Sequence, residues 1–296
     1  MPISDCSGEA AHPGVGGLPG QIHARPQQQP RSRPALKHLF RQGMNIDWTT
    51  IKAAVWRPRK EYLRPVHHID PILLDDLLGI ARQKDQLQRN TERFLDGLPA
   101  NNALLWGARG TGKSSLIKAL LNAYQQRGLR LIQVDKADLV NLPDIVDDIR
   151  DLPQRFLVFC DDLSFEAGEP SYKALKSVLE GSVELPPANV LVYATSNRRH
   201  LLPEYMEENQ AAKLVGGEIH FPEAVEEKIS LSDRFGLWVS FYPISQDEYL
   251  AIVDHYFADY RGDRTPLHEA AKQFALLRGG RSGRVARQFY NDYVLR

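Results

Sequence analysis

The chain has 296 residues, 43% hydrophobic and 25% charged, with 37 Lys/Arg balancing 37 Asp/Glu. That length supports a sizeable core without disulfides, and two cysteines, Cys6 and Cys160, make no disulfide framework. Neutrality excludes a nucleic-acid claim resting on overall charge alone, and no apolar run approaches the ~18 residues of a membrane span.

The charge is nevertheless uneven. Residues 1–70 hold ten Lys/Arg and five acids, so the first 70 residues carry +5 and the remainder −5. The plain reading of this arm is a solvated basic face; the sharper one is contact with nucleic acid or an acidic partner. The first 30 residues contain no apolar segment of a secretory signal, and the expected location is the cytoplasm.

Residues 1–43 are rich in Pro, Gly, Gln and Arg, too polar to offset their ordering entropy, and are expected to be a disordered tail. Residues 44–71 are expected to form an N-terminal helix over Asn45–Val55 and then an extended connector carrying Pro58, Pro65 and Pro71. From residue 72 to 243 short apolar runs alternate with helical stretches. Strands are expected at Ala103–Trp106, Leu129–Asp135, Phe156–Cys160, Val190–Ala194 and Leu237–Phe241. Helices fall at Ala81–Leu95 and at about 113–126, 143–150 and 171–181, where Tyr172, Leu175, Val178 and Leu179 make a core-facing stripe. This alternation predicts an α/β fold with a five-stranded parallel sheet sandwiched by helices. After Pro243 the pattern turns helical over 244–296. Ser245-Gln246-Asp247-Glu248 is a capping box, Thr265-Pro266 an N-cap with proline at the first helical position, and a last helix runs from about Ser282 to Val294.

The residues that carry chemistry lie at the ends of the strands. Gly107-Ala108-Arg109-Gly110-Thr111-Gly112-Lys113-Ser114 matches G-x-x-x-x-G-K-[ST], follows a strand and opens a helix, as a phosphate-binding loop requires. Its glycines let backbone N–H groups wrap a phosphate, and the helix N-terminus adds positive dipole. Lys113 would sit between the β- and γ-phosphates of ATP, and the hydroxyl of Ser114, with Ser115 beside it, at the Mg²⁺. Phe156–Cys160 ends in Asp161-Asp162: Asp161 is placed to hold Mg²⁺ through water, and Asp162 to orient and deprotonate the attacking water. Val190–Ala194 ends in Thr195-Ser196-Asn197. With that strand inserted between the first and third of the sheet, Asn197 would stand near the γ-phosphate.

In this order the elements resemble the AAA+ ATPases over residues 72–296. The resemblance implies further roles. Gly79-Ile80 looks like the segment that packs on adenine. Ser232-Asp233-Arg234-Phe235-Gly236 looks like the box that lends an arginine finger, Arg234, to a neighbouring subunit. Gly283-Arg284-Val285-Ala286-Arg287 looks like the second sensor, with Arg284 preferred over Arg287 because it lies nearer the helix start. The terminal helices look like the AAA+ lid. More narrowly, Asn101–Ser115, Phe156–Tyr172 and Glu218–Tyr242 look like a bacterial AAA+ family of unknown function.

The chain departs from the common AAA+ pattern in two ways. Asp162 stands where many members carry glutamate, which leaves room for slow turnover. The segment 136–143 has neither the aromatic nor the glycine of an unfoldase pore loop, which argues against polypeptide threading. His200 and His220 flank an acidic insertion, Pro203–Glu227, and are expected to be surface residues because a metal site needs a tighter constellation. Ser164–Pro170 would lie near the channel of a ring.

The expectation is a homo-oligomeric AAA+ ATPase that binds Mg-ATP and remodels or loads a protein or nucleic-acid client. A nucleotide-dependent switch with little turnover is the rival from another class. A small-molecule P-loop kinase leaves Asn197, Arg234 and the terminal helices unexplained.

Overall fold

The computed structural model describes residues 46–165, 170–180, 185–199, 201, 213–215, 218–220 and 231–294. Its strands are β1 (Ala53–Arg57), β2 (Tyr62–Val66), β3 (Ala103–Gly107), β4 (Leu129–Gln133), β5 (Arg155–Cys160), β6 (Val190–Ser196), β7 (Lys213–Val215), β8 (Glu218–His220) and β9 (Leu237–Phe241). Its α-helices are α1 (Ala81–Leu95), α2 (Lys113–Tyr124), α3 (Leu142–Ile149), α4 (Pro170–Glu180), α5 (Gln246–Tyr256), α6 (Arg264–Leu277) and α7 (Gly283–Val294).

Seven strands form one sheet in the order β2-β1-β4-β5-β6-β3-β9, and among the described residues β7 and β8 form a separate two-stranded sheet. The five expected strands are all present and mutually parallel, with β6 between β3 and β5. Both faces of these strands are covered, so they are near-continuous apolar runs. Leu104, Phe156, Val158 and Val192 pack on one face with Ile145 of α3 and Leu175 of α4. Leu105, Leu157, Phe159 and Tyr193 pack on the other with Leu87 of α1 and Leu116 and Leu120 of α2. The last three helices carry a third apolar cluster built on Tyr249, Phe257, Leu267 and Phe289.

Two expectations about the N-terminal segment are corrected. The helix expected over Asn45–Val55 does not form among the described residues 46–55: a turn is followed by β1, which pairs parallel to β4 with Ala53 opposite Leu131. The connector with three prolines supplies β2, antiparallel to β1. The reason is burial. Helix propensity differs by tenths of a kcal/mol per residue, whereas Trp56 is only 4% exposed, and burying a ring of that size is worth roughly 4–6 kcal/mol. Pro65 is tolerated because β2 is the edge of the sheet and need not donate outward.

A smaller correction concerns α6. Its N-cap is Asp263, whose side chain accepts from the backbone N–H of Thr265, so Thr265 is already inside the helix. The capping box at Ser245 forms with both of its hydrogen bonds. Residues 1–43, most of Pro203–Glu227, part of Ser164–Pro170, His200 and the side chain of His220 lie outside the described residues.

Candidate nucleotide site

Three strands deliver functional side chains to one edge of the sheet because parallel strands all end on the same side. Gly107 closes β3 with φ +135°, and a Cβ there would come within 1.9 Å of the Phe241 carbonyl oxygen. Only glycine lets the loop leave the strand so close to β9; the Ala108 N–H then donates to that same oxygen at 3.2 Å. Gly112, at φ +98°, is the N-cap of α2, which begins at Lys113.

Lys113 is 7% exposed. Its ammonium donates to the carbonyl oxygens of Gly107 at 2.8 Å and Ala108 at 2.7 Å, with the Asn197 Oδ1 at 3.5 Å. Burial pushes the lysine below its ordinary pKa, while the charges of Asp161 and Asp162 pull the other way.

The paired aspartates take different roles because the backbone separates them. Asp162 sits at φ +52°, a left-handed conformation that Asp tolerates better than most side chains. That twist turns consecutive carboxylates in different directions. Asp161 accepts from the Ser114 hydroxyl at 2.7 Å and from the Thr195 hydroxyl. The Asp162 N–H donates to the Thr195 hydroxyl oxygen at 2.9 Å, and its carboxylate accepts from the Asn197 amide. Arg109 stands 3.8 Å from the other Asp162 oxygen. Thr195 therefore braces both aspartates. It was visible in the sequence only as one of three small polar residues ending β6, and the strand's register, not its composition, gives it this place.

A cavity of about 580 Å³ opens over this edge. Arg109, Gly110, Thr111, Gly112, Lys113, Ser114 and Ser115 line it, with Asp161, Asp162, Asn197 and Arg284. Its apolar end is made by Leu77, Leu78, Ile80, Ile244, Ile252 and Tyr256. Gly79 (φ +74°) turns the chain between Leu78 and Ile80 without lining the cavity, and Gly107 and Ala108 lie behind it as the root of the loop. The apolar residues from α5 were missed in the sequence, although Ile252 and Tyr256 are one turn apart on a helix. The start of α7 touches the loop directly: a Cβ on Gly110 would lie 2.8 Å from the Ser282 hydroxyl and 3.5 Å from the Arg284 Cβ. Arg284 and Arg287 both line the cavity.

Arg234 does not. It pairs with Glu180 at the end of α4, three residues before β9 begins. The loop lies beyond the other end of β9, about 16 Å away at 3.3 Å per strand residue.

The oxygens of Ser114 and Asp161 are hard donors suited to Mg²⁺. They are hydrogen-bonded to each other at 2.7 Å, so both would face the same cation, Asp161 through a bound water. Among the described residues there is no cluster of three or more His, Cys, Asp or Glu that would hold a metal by itself, so a cation here needs further ligands from water or phosphate.

A family model described as a protein of unknown function, DUF815, matches residues 49–296. The chain belongs to this family. The DUF815 match begins in the turn before β1, so it takes in the β1–β2 hairpin as well as the strands that carry the site. No curated protein matches the chain. Among solved structures it is similar to RuvB of Thermotoga maritima, described as a Holliday junction branch migration motor, at 12% identity and a TM-score of 0.43, over 75% of this chain and 72% of that one. A point mutant of that protein gives 13% identity and a TM-score of 0.42. No helix among the described residues is long and apolar enough to cross a membrane.

Proposed function

We propose that this DUF815 protein is an AAA+ ATPase that binds Mg-ATP in the cavity and hydrolyses it at a contact between subunits, to remodel or load a macromolecular client. One observation carries the proposal. Lys113, Ser114, Asp161, Asp162, Asn197 and Arg284, drawn from four separate elements, meet at a single cavity.

The loop N–H groups and the start of α2 would hold the β-phosphate. Lys113, already desolvated, would place its charge between β- and γ-phosphates. Ser114 and Asp161 would hold Mg²⁺, which supplies Lewis-acid polarisation of the phosphoryl oxygens. Asp162, held by Thr195 and Asn197, would accept the proton of the attacking water. The adenine would lie against Ile80, Ile252 and Tyr256, and Arg284 would reach the phosphates from α7. Arg234 is too far from its own cavity to act there, which supports a role in a neighbouring subunit's site and hence a homo-oligomer.

The test is turnover as a function of protein concentration. Specific activity should rise as subunits associate, and Arg234→Ala should lower the plateau by ~10³-fold or more while leaving ATP binding intact. A specific activity that stays flat down to monomer concentrations defeats the shared-site reading. ATP binding without measurable turnover at any concentration would favour the switch.

A further inference from the structure

The β1–β2 hairpin is absent from the five-stranded core and has no part in the nucleotide site. It is also the most basic exposed element of the described sheet. Arg57, Arg59, Lys60 and Arg64 are all exposed within eight residues. No ion pair or hydrogen bond among the described residues occupies the side chains of Arg59, Lys60 or Arg64. The acids nearby are Glu61, at the apex in a left-handed conformation (φ +48°), Asp138, close enough to feel the charge of Arg57, and Asp135, whose charge Asp138 also feels.

The register arranges these residues. Arg57 lies opposite Tyr62, and Arg64 opposite Val55. Side chains alternate across a strand, so Arg57, Tyr62 and Arg64 share one face, with Tyr62 and Arg64 about 6.6 Å apart along β2. A half-exposed ring on the same face as two exposed guanidinium groups offers a base-stacking surface beside phosphate-binding cations. The turn Pro58–Lys60 adds Arg59 and Lys60 at the tip. Because β1 runs parallel to β4, this tip lies at the same sheet edge as Asp161 and Asp162. Two strand spacings separate β1 from β5, roughly 10 Å.

We propose that the β1–β2 hairpin binds single-stranded nucleic acid, with Arg59, Lys60 and Arg64 on its phosphates and Tyr62 stacked on a base. An acidic polypeptide would satisfy the cations but has no use for the ring. The inference names the client of the proposed ATPase and rests on that reading for its purpose, not for the binding itself.

The experiment is a salt titration of a fluorescent 20-nucleotide single strand with the full-length protein. Replacing Arg59, Lys60 and Arg64 together by Gln should flatten the slope of log K against log[salt] by about 2, at ~0.7 for each phosphate no longer neutralised. Tyr62→Ala should weaken binding roughly 5- to 100-fold with the slope unchanged, and Tyr62→Phe should restore it. Glu61→Gln should tighten binding, a direction that misfolding cannot mimic. An unchanged slope in the triple variant overturns the proposal. So does polyglutamate that competes as well as the oligonucleotide and is indifferent to Tyr62. ATP binding measured on the unsubstituted protein separates the two readings: ATP bound with no oligonucleotide binding sinks only the hairpin, and oligonucleotide bound with no ATP binding sinks only the ATPase.

Discussion

The two walls of the cavity are built on different principles. The sheet wall is rigid: Lys113 is almost wholly buried, and Asp161, Asp162, Thr195 and Asn197 are tied to one another by hydrogen bonds across adjacent strands. The helical wall carries its own apolar cluster, and Ser282 and Arg284 lie close beside Gly110 of the loop. The difference suggests a division of labour. Chemistry needs sub-ångström placement and belongs on strands that cannot shift independently; on the proposed reading the helical wall senses the nucleotide and must be able to move without disturbing them.

The largest expected effect tests the sheet wall at its reacting end. Asp162→Asn should bind ATP as the parent does and lose ~10²–10⁴ in kcat; retained turnover would remove Asp162 as the base. Next comes the backbone of the same wall. Gly107→Ala forces a Cβ into the Phe241 carbonyl at a φ that alanine resists, at a cost of about 3 kcal/mol. Thermal unfolding should drop by roughly 10 °C, and ATP binding, followed calorimetrically, should fall with it.

The packing beneath that wall should show in alkaline unfolding. The Tyr193 hydroxyl is fully buried between Asn90 and Thr91, and burial pushes its pKa up to about 12. The unfolded tyrosine ionises near 10, so the stability that depends on the neutral form is intact below pH ~10 and is lost as pH rises towards 12. The loss should reach about 2–3 kcal/mol at pH 12. Denaturant midpoints across this range should show it, and Tyr193→Phe should flatten that dependence.

The smallest effect should come from the helical wall. Arg284→Ala should weaken ATP binding about tenfold, the worth of one charge-assisted contact, with stability unchanged, and Arg287→Ala should cost less. An effect as large as that of Asp162→Asn would mean that the helical wall takes part in the chemistry.

The sequence by itself determined the parallel core and the loop, because both depend on local grammar. Apolar runs of four to seven residues, broken by helical periods, leave few alternatives to stacked βαβ units, and G-x-x-x-x-G-K-S between a strand and a helix is the spacing of a phosphate-binding loop. It also singled out Asp161, Asp162 and Asn197 as strand-end polar groups. Only the tertiary structure decided that Asp162 turns away from Asp161 and that Thr195 braces both. It alone brought Ile252 and Tyr256 to the cavity, and it alone left Arg234 beyond reach of its own site. The N-terminal segment shows why. Ala53–Arg57 has no strong local preference, and it became a strand because β4 offered an open edge and a place to bury Trp56. Pairing between residues about 80 positions apart is a property of the folded sheet, and no local pattern encodes it.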